Sequence, residues 1–367
     1  MNKHSTTPDK IAEACIHPSF FRLSNPDDRL LFNELLQKDP HIRIFDEIKS
    51  QLSELVKIRN PDKKLSGHQL SEAVAGLLNG TDTKDYGVWV YYPWSANIVH
   101  ILDEQEFIEL RTSRNLFKIT PEEEAILSQK RVGVIGMSVG QSVAVTMAIE
   151  RSFGEIRIAD FDTIELSNLN RIRTGIHNLG LSKVVITARE IAEIDPFLKV
   201  TVFPEGITED NIEQFITNNG KLDIIIDECD GVEIKVLCRE KARQYGIPVL
   251  MEASDRATID IERFDLEPDR PLFHGKVPGL TYDLIKEKTK EEILPYIFSI
   301  AGYETLSDRM KYSLNQIGKT ITTWPQLASA VVLGGGISAD ICRRIFTGNL
   351  KISGRFFIDL EDLIRDK

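Results

Sequence analysis

The residues best suited to chemistry lie in three short segments. RVGVIGMSVGQS runs from an apolar stretch into a glycine turn, ADFDTIELSNLNR carries carboxylates, amides and an arginine, and IIIDECDG contains two aspartates. Glycines let backbone N–H groups approach a phosphate. Amides and a guanidinium can bind phosphate oxygens, and carboxylates are oxygen ligands for Mg²⁺. Together these residue types predict a nucleotide-binding site.

The glycine turn departs from the dinucleotide-binding pattern G-x-G-x-x-G. Counting from Gly136, Ser138 and Gln141 stand where the second and third glycines are expected, and the next glycine is Gly140. Gly136 and Gly140 can still bring backbone N–H groups to a phosphate, and the hydroxyl of Ser138 can contact one as well. Taken alone, the turn fits a phosphate site and a ligand-free strand-to-helix turn equally well.

Four side chains beyond the turn are candidate nucleotide ligands. Asp160 ends the second predicted strand, where an acid can bind a ribose hydroxyl of NAD or ATP. Asn168 and Arg171 follow in a short loop and can bind phosphate oxygens. Lys183 begins the next predicted helix, where a positive charge opposes the helix dipole, and this favours a phosphate-binding role. Asp162 is expected to be an ordinary cap.

Two aspartates bracket the carboxyl end of a central predicted strand. Asp230 is the candidate Mg²⁺ ligand, with waters and nucleotide phosphates completing the coordination. Asp227 fits a ligand-binding role and a structural role equally well. Cys229 and Cys238 have no flanking histidine that would lower a thiol pKa, so neither is predicted to be a nucleophile.

The order of the elements predicts how these residues are positioned. Apolar strands alternate with amphipathic helices from residue 131 to about 263, which predicts an α/β fold with a doubly wound, mostly parallel sheet. Ligands of such sheets bind at the carboxyl ends of the strands. Residues 1–108 are predicted to form a smaller α+β unit, and residues 109–367 the nucleotide-binding domain. Near the C-terminus, a long apolar helix is expected to be interrupted at residues 334–336, and FFIDLEDL is expected to end the chain as an edge strand.

Composition narrows the function classes further. The 367-residue chain has a formal net charge of -11, which argues against nucleic-acid binding driven by bulk electrostatics. Its four cysteines are scattered, so neither disulfides nor a structural zinc site is predicted. No apolar run reaches membrane-spanning length. We therefore expect a soluble, cytoplasmic protein with no membrane partner.

Six segments in order, from about residue 109 to 350, resemble the ThiF/MoeB/ubiquitin-activating-enzyme superfamily. These are LRTSRN, RVGVIGMSVG, ADFDTIELSNLNR, LGLSK, IIIDECDG and TTWPQLASAVVLGGGISADICRRI. The superfamily consists of ATP-dependent adenylyltransferases on a Rossmann-like fold, and this resemblance implies the same fold and activity here. The GMSVG turn and the extra N-terminal unit also resemble a ThiF-like subgroup, some members of which carry a nitroreductase-like domain.

The resemblance implies a role for each nucleotide-site residue. Asp160 would bind the ATP ribose, and Asn168, Arg171 and Lys183 would bind its phosphates. Asp230 would place Mg²⁺ near the α-phosphate. The glycine turn would complete the cofactor site.

The resemblance also implies the reaction and the assembly. Arg114 would reach into the site of a dimer partner, so a homodimer is expected. A carboxylate would attack the α-phosphate to give an acyl-adenylate and pyrophosphate, which requires orientation and positive charge rather than covalent catalysis. The expected catalytic residues are Arg114, Arg171, Lys183 and Asp230. The expected acceptor is the C-terminus of a small ubiquitin-like or sulfur-carrier-like protein, a peptide or a modified nucleoside.

Several departures from the superfamily pattern keep alternatives open. Ser138 replaces a glycine, Ile172 a glutamine and Gly231 an asparagine, and the zinc cysteines are missing. No cysteine stands at the thioester or persulfide position, so adenylation is expected without thioester conjugation or sulfur relay. The alternatives are an NAD(P)-dependent oxidoreductase, a non-catalytic nucleotide-binding scaffold and a tRNA-modifying dehydratase of the same superfamily.

Overall fold

The computed structural model describes residues 16–365, which form two compact units. The smaller unit comprises residues 16–121 together with 192–197, and the larger unit comprises the rest. The boundary between residues 108 and 109 stays a prediction. Within residues 16–365, no helix has both the length and the apolar character that crossing a bilayer requires.

The smaller unit contains a four-stranded sheet. Its strands are β1 (Ser19–Phe21), β2 (Arg43–Asp46), β3 (Val88–Tyr92) and β4 (Asn97–Ile101). Their order is β1-β3-β4-β2, with only the β2–β4 pair parallel. Its helices are α1 (Pro26–Lys38), α2 (Ile48–Arg59), α3 (Gly67–Leu78) and α4 (Glu104–Thr112). This is the α+β composition that the sequence predicts.

The larger unit is organised around a seven-stranded sheet. Its strands are β5 (Arg131–Ile135), β6 (Glu155–Ala159), β7 (Lys199–Phe203), β8 (Ile224–Asp227), β9 (Val249–Ala253), β10 (Thr258–Glu262) and β11 (Gly354–Phe357). Their order is β11-β10-β9-β8-β5-β6-β7. The five strands from β9 to β7 pair in parallel, while β10 and β11 are antiparallel additions at one edge.

The remaining helices connect these strands or follow them. They are α5 (Pro121–Leu127), α6 (Gly140–Glu150), α7 (Lys183–Ile194), α8 (Ile212–Thr217), α9 (Val232–Tyr245), α10 (Tyr282–Ile285), α11 (Lys290–Ala301), α12 (Asp308–Leu314), α13 (Ala328–Phe346) and α14 (Leu360–Leu363). From β5 the chain adds β6 and β7 on one side, and it then adds β8 and β9 on the other. The strand order therefore reverses between β5 and β8, where doubly wound sheets bind ligands. This arrangement confirms the predicted fold class.

Two expectations for the C-terminal region are wrong. Helix α13 is continuous through residues 334–336. Its glycines let it pack closely against other elements, and this packing compensates for their low helical propensity. A Cβ atom added to Gly335 would lie 2.3 Å from the Oγ atom of Ser142 on α6. FFIDLEDL is also not one edge strand, since only its first residues belong to β11, and Asp359 caps the short helix α14 that follows.

Candidate active site

The glycine turn connects β5 to α6, and packing requires both of its glycines. Gly136 has a φ of +90°, and a Cβ atom there would lie 2.5 Å from the carbonyl oxygen of Glu228. A Cβ atom at Gly140 would lie 2.7 Å from a methyl group of Val134. The turn is thus pressed against the end of β8 and against β5. Whether it also binds phosphate stays a prediction.

Asp160 follows β6 and holds the glycine turn in place. Its carboxylate accepts hydrogen bonds from the backbone N–H groups of Met137 (2.6 Å) and Asp162 (2.8 Å). Burial raises the pKa of this carboxyl, whereas the two hydrogen bonds and the nearby charge of Lys183 oppose that change. The sequence therefore places Asp160 correctly at the strand end, beside the turn, and its role as a ribose ligand stays a prediction.

Lys183 is the first residue of α7, as predicted, and is buried. Its Nζ atom lies 2.7 Å from a carboxylate oxygen of Asp162, whose side chain is half exposed. Asp162 thus positions a buried ammonium beside Asp160 rather than acting as the ordinary cap that the sequence suggests. The ion pair holds the ammonium group at the carboxyl edge of the sheet, and its contact with a phosphate stays a prediction.

Arg171 lies against the glycine turn. Its Nε atom donates a hydrogen bond to the Ser138 hydroxyl (3.0 Å), and its Nη1 atom donates to the side chain of Asn170 (2.9 Å). Burial lowers the pKa of the guanidinium, and the carboxylate of Asp230 opposes that change. Ser138, Arg171 and Asp230 therefore lie close together in the structure, although 92 positions separate Ser138 from Asp230 in the sequence.

Asn168 is buried in the 3-10 helix that precedes Arg171. Its side-chain oxygen accepts a hydrogen bond from the backbone N–H of Glu165 at 3.0 Å. This contact fixes the loop that carries Arg171. The predicted contact of Asn168 with phosphate remains untested, and its amide oxygen already has this structural partner.

Asp227 has a structural role in the fold. Its position in the sequence fits a ligand-binding role equally well, and its buried ion pairs favour the structural one. Burial opposes its ionisation, but Lys235 and Arg239 outweigh this effect and bring the pKa of the carboxyl to about 2. Lys235 lies 3.1 Å away, and Arg239 also pairs with Glu262 at 2.5 Å. Asp227 therefore anchors α9 to β8 through buried ion pairs.

A cleft of about 230 Å³ opens at the same edge of the sheet, within the larger unit. Its charged lining residues are Glu228, Asp230, Lys235, Glu252 and Asp255, and much of the remaining surface is apolar, including Val139, Met251, Ile297, Phe298 and Trp324. We call it the Glu252 cleft. Asp230 is exposed in its wall. The cleft therefore adjoins the predicted nucleotide site.

Sequence reasoning missed Glu228 and Glu252, although each is an acid at or just after the end of an apolar strand. This is the signal that identifies Asp160. Burial and the charge of Glu252 raise the pKa of Glu228 well above its usual range. Burial raises the pKa of Glu252 to about 8. Perturbed carboxyls inside a cleft are typical of functional sites.

Arg114 and Cys229 are two further residues that the sequence analysis considered. Arg114 is exposed in the turn after α4 and belongs to the smaller unit, so its contribution to a partner's site stays a prediction. The Cys229 thiol lines the cleft, but burial and the neighbouring Asp227 raise its pKa well above the usual range. This environment disfavours the thiolate that a nucleophile requires.

A nucleotide-bound Mg²⁺ fits the donor set better than a metal held by protein alone. Among residues 16–365, no group of three or more histidine, cysteine, aspartate or glutamate side chains could hold a metal ion. Asp230 offers one exposed carboxylate beside Arg171. One carboxylate with waters and phosphates is the usual environment of Mg²⁺ at a nucleotide.

The fold and the site together define an α/β protein with a glycine turn and charged side chains at the switch point of a doubly wound sheet. The model of the ThiF family matches residues 112–324, which is more than half of the chain. The chain belongs to the ThiF family.

Similarity to individual proteins extends beyond this domain. An uncharacterised protein of Mycobacterium tuberculosis, MT1398, is 38% identical over 334 residues, covering 91% of this chain and 44% of that protein. The tRNA threonylcarbamoyladenosine dehydratase 2 of Saccharomyces cerevisiae is 32% identical over 162 residues, covering 44% of this chain and 36% of the enzyme. The chain therefore spans less than half the length of either relative.

A solved structure agrees on the fold. A crystal structure of selenomethionine PaaA superposes with a TM-score of 0.50 and 22% identity, covering 71% of this chain and 81% of PaaA. At this identity the match concerns the fold alone.

Proposed function

We propose that this protein is an ATP·Mg²⁺-dependent adenylyltransferase that activates a carboxylate as an acyl-adenylate and releases pyrophosphate. The observation that carries the proposal is the meeting of Ser138, Arg171 and Asp230 at the switch point of a ThiF-family sheet. These residues come from three separate segments of the chain. An oxidoreductase would leave the arginine and the aspartate without a role, because hydride transfer needs neither.

The side chains match what adenylation demands. Attack on the α-phosphate concentrates negative charge on phosphate oxygens, and fixed cations stabilise that charge most effectively where water is limited. Arg171 is half-buried and held by Ser138, and Lys183 is buried and held by Asp162. Both cations are therefore oriented before any ligand binds, which favours catalysis by preorganisation.

Asp230 would hold the Mg²⁺ that arrives with ATP, and the ion would supply charge neutralisation at the phosphates. Asp160 would bind the ribose through lone pairs that its two backbone hydrogen bonds leave available. Asn168 would act mainly by fixing the loop, in view of its bond to Glu165. The glycine turn would form the floor of the site.

ATP–pyrophosphate exchange tests the proposal. We expect Mg²⁺-dependent exchange with a suitable carboxylate and a loss of at least about 100-fold in Arg171→Ala and Asp230→Ala, on the scale of removing a charge-stabilising group. Arg243→Ala is the matched control, since Arg243 is exposed near the end of α9. Tighter calorimetric binding of NAD than of ATP·Mg²⁺ would overturn adenylation. ATP binding without exchange in any acceptor pool would favour a non-catalytic scaffold instead.

We further propose that the protein acts as a homodimer in which Arg114 completes the site of the partner. Mixing the inactive Arg114→Ala and Asp230→Ala chains would then restore up to about a quarter of the exchange activity, because one site in some dimers would have both residues. Sedimentation of a monomer, or no recovery on mixing, would contradict this arrangement.

A further inference from the structure

The side chain of Glu252 is buried in the wall of the Glu252 cleft and has no partner. Its exposed fraction is 4%, and neither carboxylate oxygen has a hydrogen-bond partner. Buried polar groups are nearly always hydrogen-bonded, because an unpaired one loses its hydration without compensation. An unpartnered carboxylate facing a cavity therefore indicates a ligand that would supply the missing donors.

The surrounding structure holds Glu252 in this position. Its backbone N–H donates to a carboxylate oxygen of Glu228 at 3.0 Å. Helix α13 closes over it at Gly334, where an added Cβ atom would lie 2.3 Å from the Cδ atom of Glu252. The one lysine in the cleft lining, Lys235, lies 3.1 Å from Asp227 and is engaged there. The cleft therefore lacks an internal cation for Glu252.

The available acceptors define the chemistry of the ligand. Besides the two oxygens of Glu252, the buried Oγ atom of Ser254 in the cleft lining also lacks a partner. An ammonium group has three N–H donors and no acceptor, which matches three unpartnered oxygens. Side chains such as Met251, Ile297 and Trp324 offer an apolar surface to the rest of the ligand. Because residues 16–365 contain no metal-binding cluster, an organic cation fits better than a metal ion.

We propose that the Glu252 cleft binds a primary ammonium group on an apolar chain, and that the acceptor of adenylation carries this group. The second part, that the acceptor carries the ammonium group, rests on the proposed function. The binding of an ammonium group in the cleft does not. The substrate class is then a carboxylate with a nearby lysine side chain or free amine. Ionisation of Glu252, which burial disfavours, becomes favourable once the cation is present.

Calorimetric titration of the full chain with n-pentylammonium, without ATP, tests the binding site. We expect binding at least about tenfold tighter than that of n-pentanol, which has the same length and no charge. Glu252→Gln keeps the shape and removes the charge, so this preference should disappear. Glu291→Gln, on an exposed face of α11, should retain it. Equal binding of the amine and the alcohol, or an unchanged preference in Glu252→Gln, would overturn the proposal.

A second measurement tests the source of the ammonium group. Exchange activity is compared with N-acetyl-Gly-Lys and N-acetyl-Gly-norleucine, two blocked dipeptides with the same carboxylate and chain length, of which only the first carries an ammonium group. Stronger stimulation by the lysine peptide supports the acceptor as its carrier, and equal stimulation overturns that part. Failure of exchange in every assay, with ammonium binding intact, would overturn adenylation but not the cation site.

Discussion

Replacing Glu252 by glutamine should make the protein less sensitive to alkaline pH. The side-chain carboxyl of Glu252 is buried without hydrogen-bond partners, and burial raises its pKa from 4.5 to about 8. Between these two values the native protein keeps a proton that the unfolded chain releases. The free energy of unfolding should therefore fall as pH rises through this window.

The size of the effect follows from the two pKa values. Each pH unit between them lowers the free energy of unfolding by about 1.4 kcal/mol. From pH 5.5 to 8.5 the contribution of Glu252 is about 3 kcal/mol, because the loss levels off above the native pKa. The carboxyl of Glu228, with a pKa raised well above its usual range by burial and by the charge of Glu252, adds a loss of the same sign. Asp227 contributes nothing in this range, since its pKa of about 2 lies below it.

Urea denaturation of the wild type and of Glu252→Gln at pH 5.5, 6.5, 7.5 and 8.5 measures this difference. The variant should gain stability relative to the wild type by about 1 kcal/mol for each pH unit. The smaller unit is identical in both chains, so its contribution cancels in the comparison. Glu291→Gln should follow the wild type. If the free energy of unfolding changed with pH in the same way in the wild type and in Glu252→Gln, the conclusion that Glu252 is buried, unpaired and mostly protonated would be refuted.

Two further predictions concern packing and the site. Gly335→Ala should lower the free energy of unfolding by about 1–3 kcal/mol, because the added methyl group meets Ser142. Gly336→Ala should instead raise it by up to about 1 kcal/mol, because a Cβ atom there meets nothing within 4 Å and alanine has the higher helical propensity. Thermal denaturation of both variants decides this, and equal effects would contradict the close helix approach. Ser138→Ala should reduce pyrophosphate exchange about fivefold by releasing Arg171, at about 1 kcal/mol for the lost hydrogen bond. Ser138→Thr should retain most activity, and an undiminished Ser138→Ala would exclude a positioning role.

The fold was predictable because its signals are local. Ile224, Ile225 and Ile226 form a continuous apolar run, and all three are fully buried in β8. The alternation of such runs with amphipathic helices specifies a parallel sheet with helices on both faces. The interruption predicted at residues 334–336 was wrong for the converse reason. The helical propensity of glycine is a local property, whereas the close approach of α13 to α6 is a tertiary one and overrides it.

The candidate site was predictable only where a segment carries its own signal. The positions of Asp160, Arg171 and Lys183 follow from strand ends and helix starts. The structural role of Asp227 was not predictable, because Arg239 reaches it from the third turn of α9 and is itself held by Glu262 of β10. Sequence spacing alone does not show which acid receives a buried cation. The structure assigns those cations to Asp227, and so leaves Glu252 without one.

This distribution of charge explains why Glu252 points to function rather than stability. A glutamine or an apolar residue at this position would avoid the burial of an unpaired carboxyl, and Met251 shows that the strand accepts an apolar side chain next to it. The free energy lost at neutral pH is a few kcal/mol, which is a large part of the stability of a typical domain. Such a cost is compensated when a ligand supplies the missing cation, since a ligand that binds only the native state stabilises it by mass action. The stability gained from an ammonium ligand should therefore rise between about pH 6 and 9, as Glu252 ionises more readily, and Glu252→Gln should lose that rise.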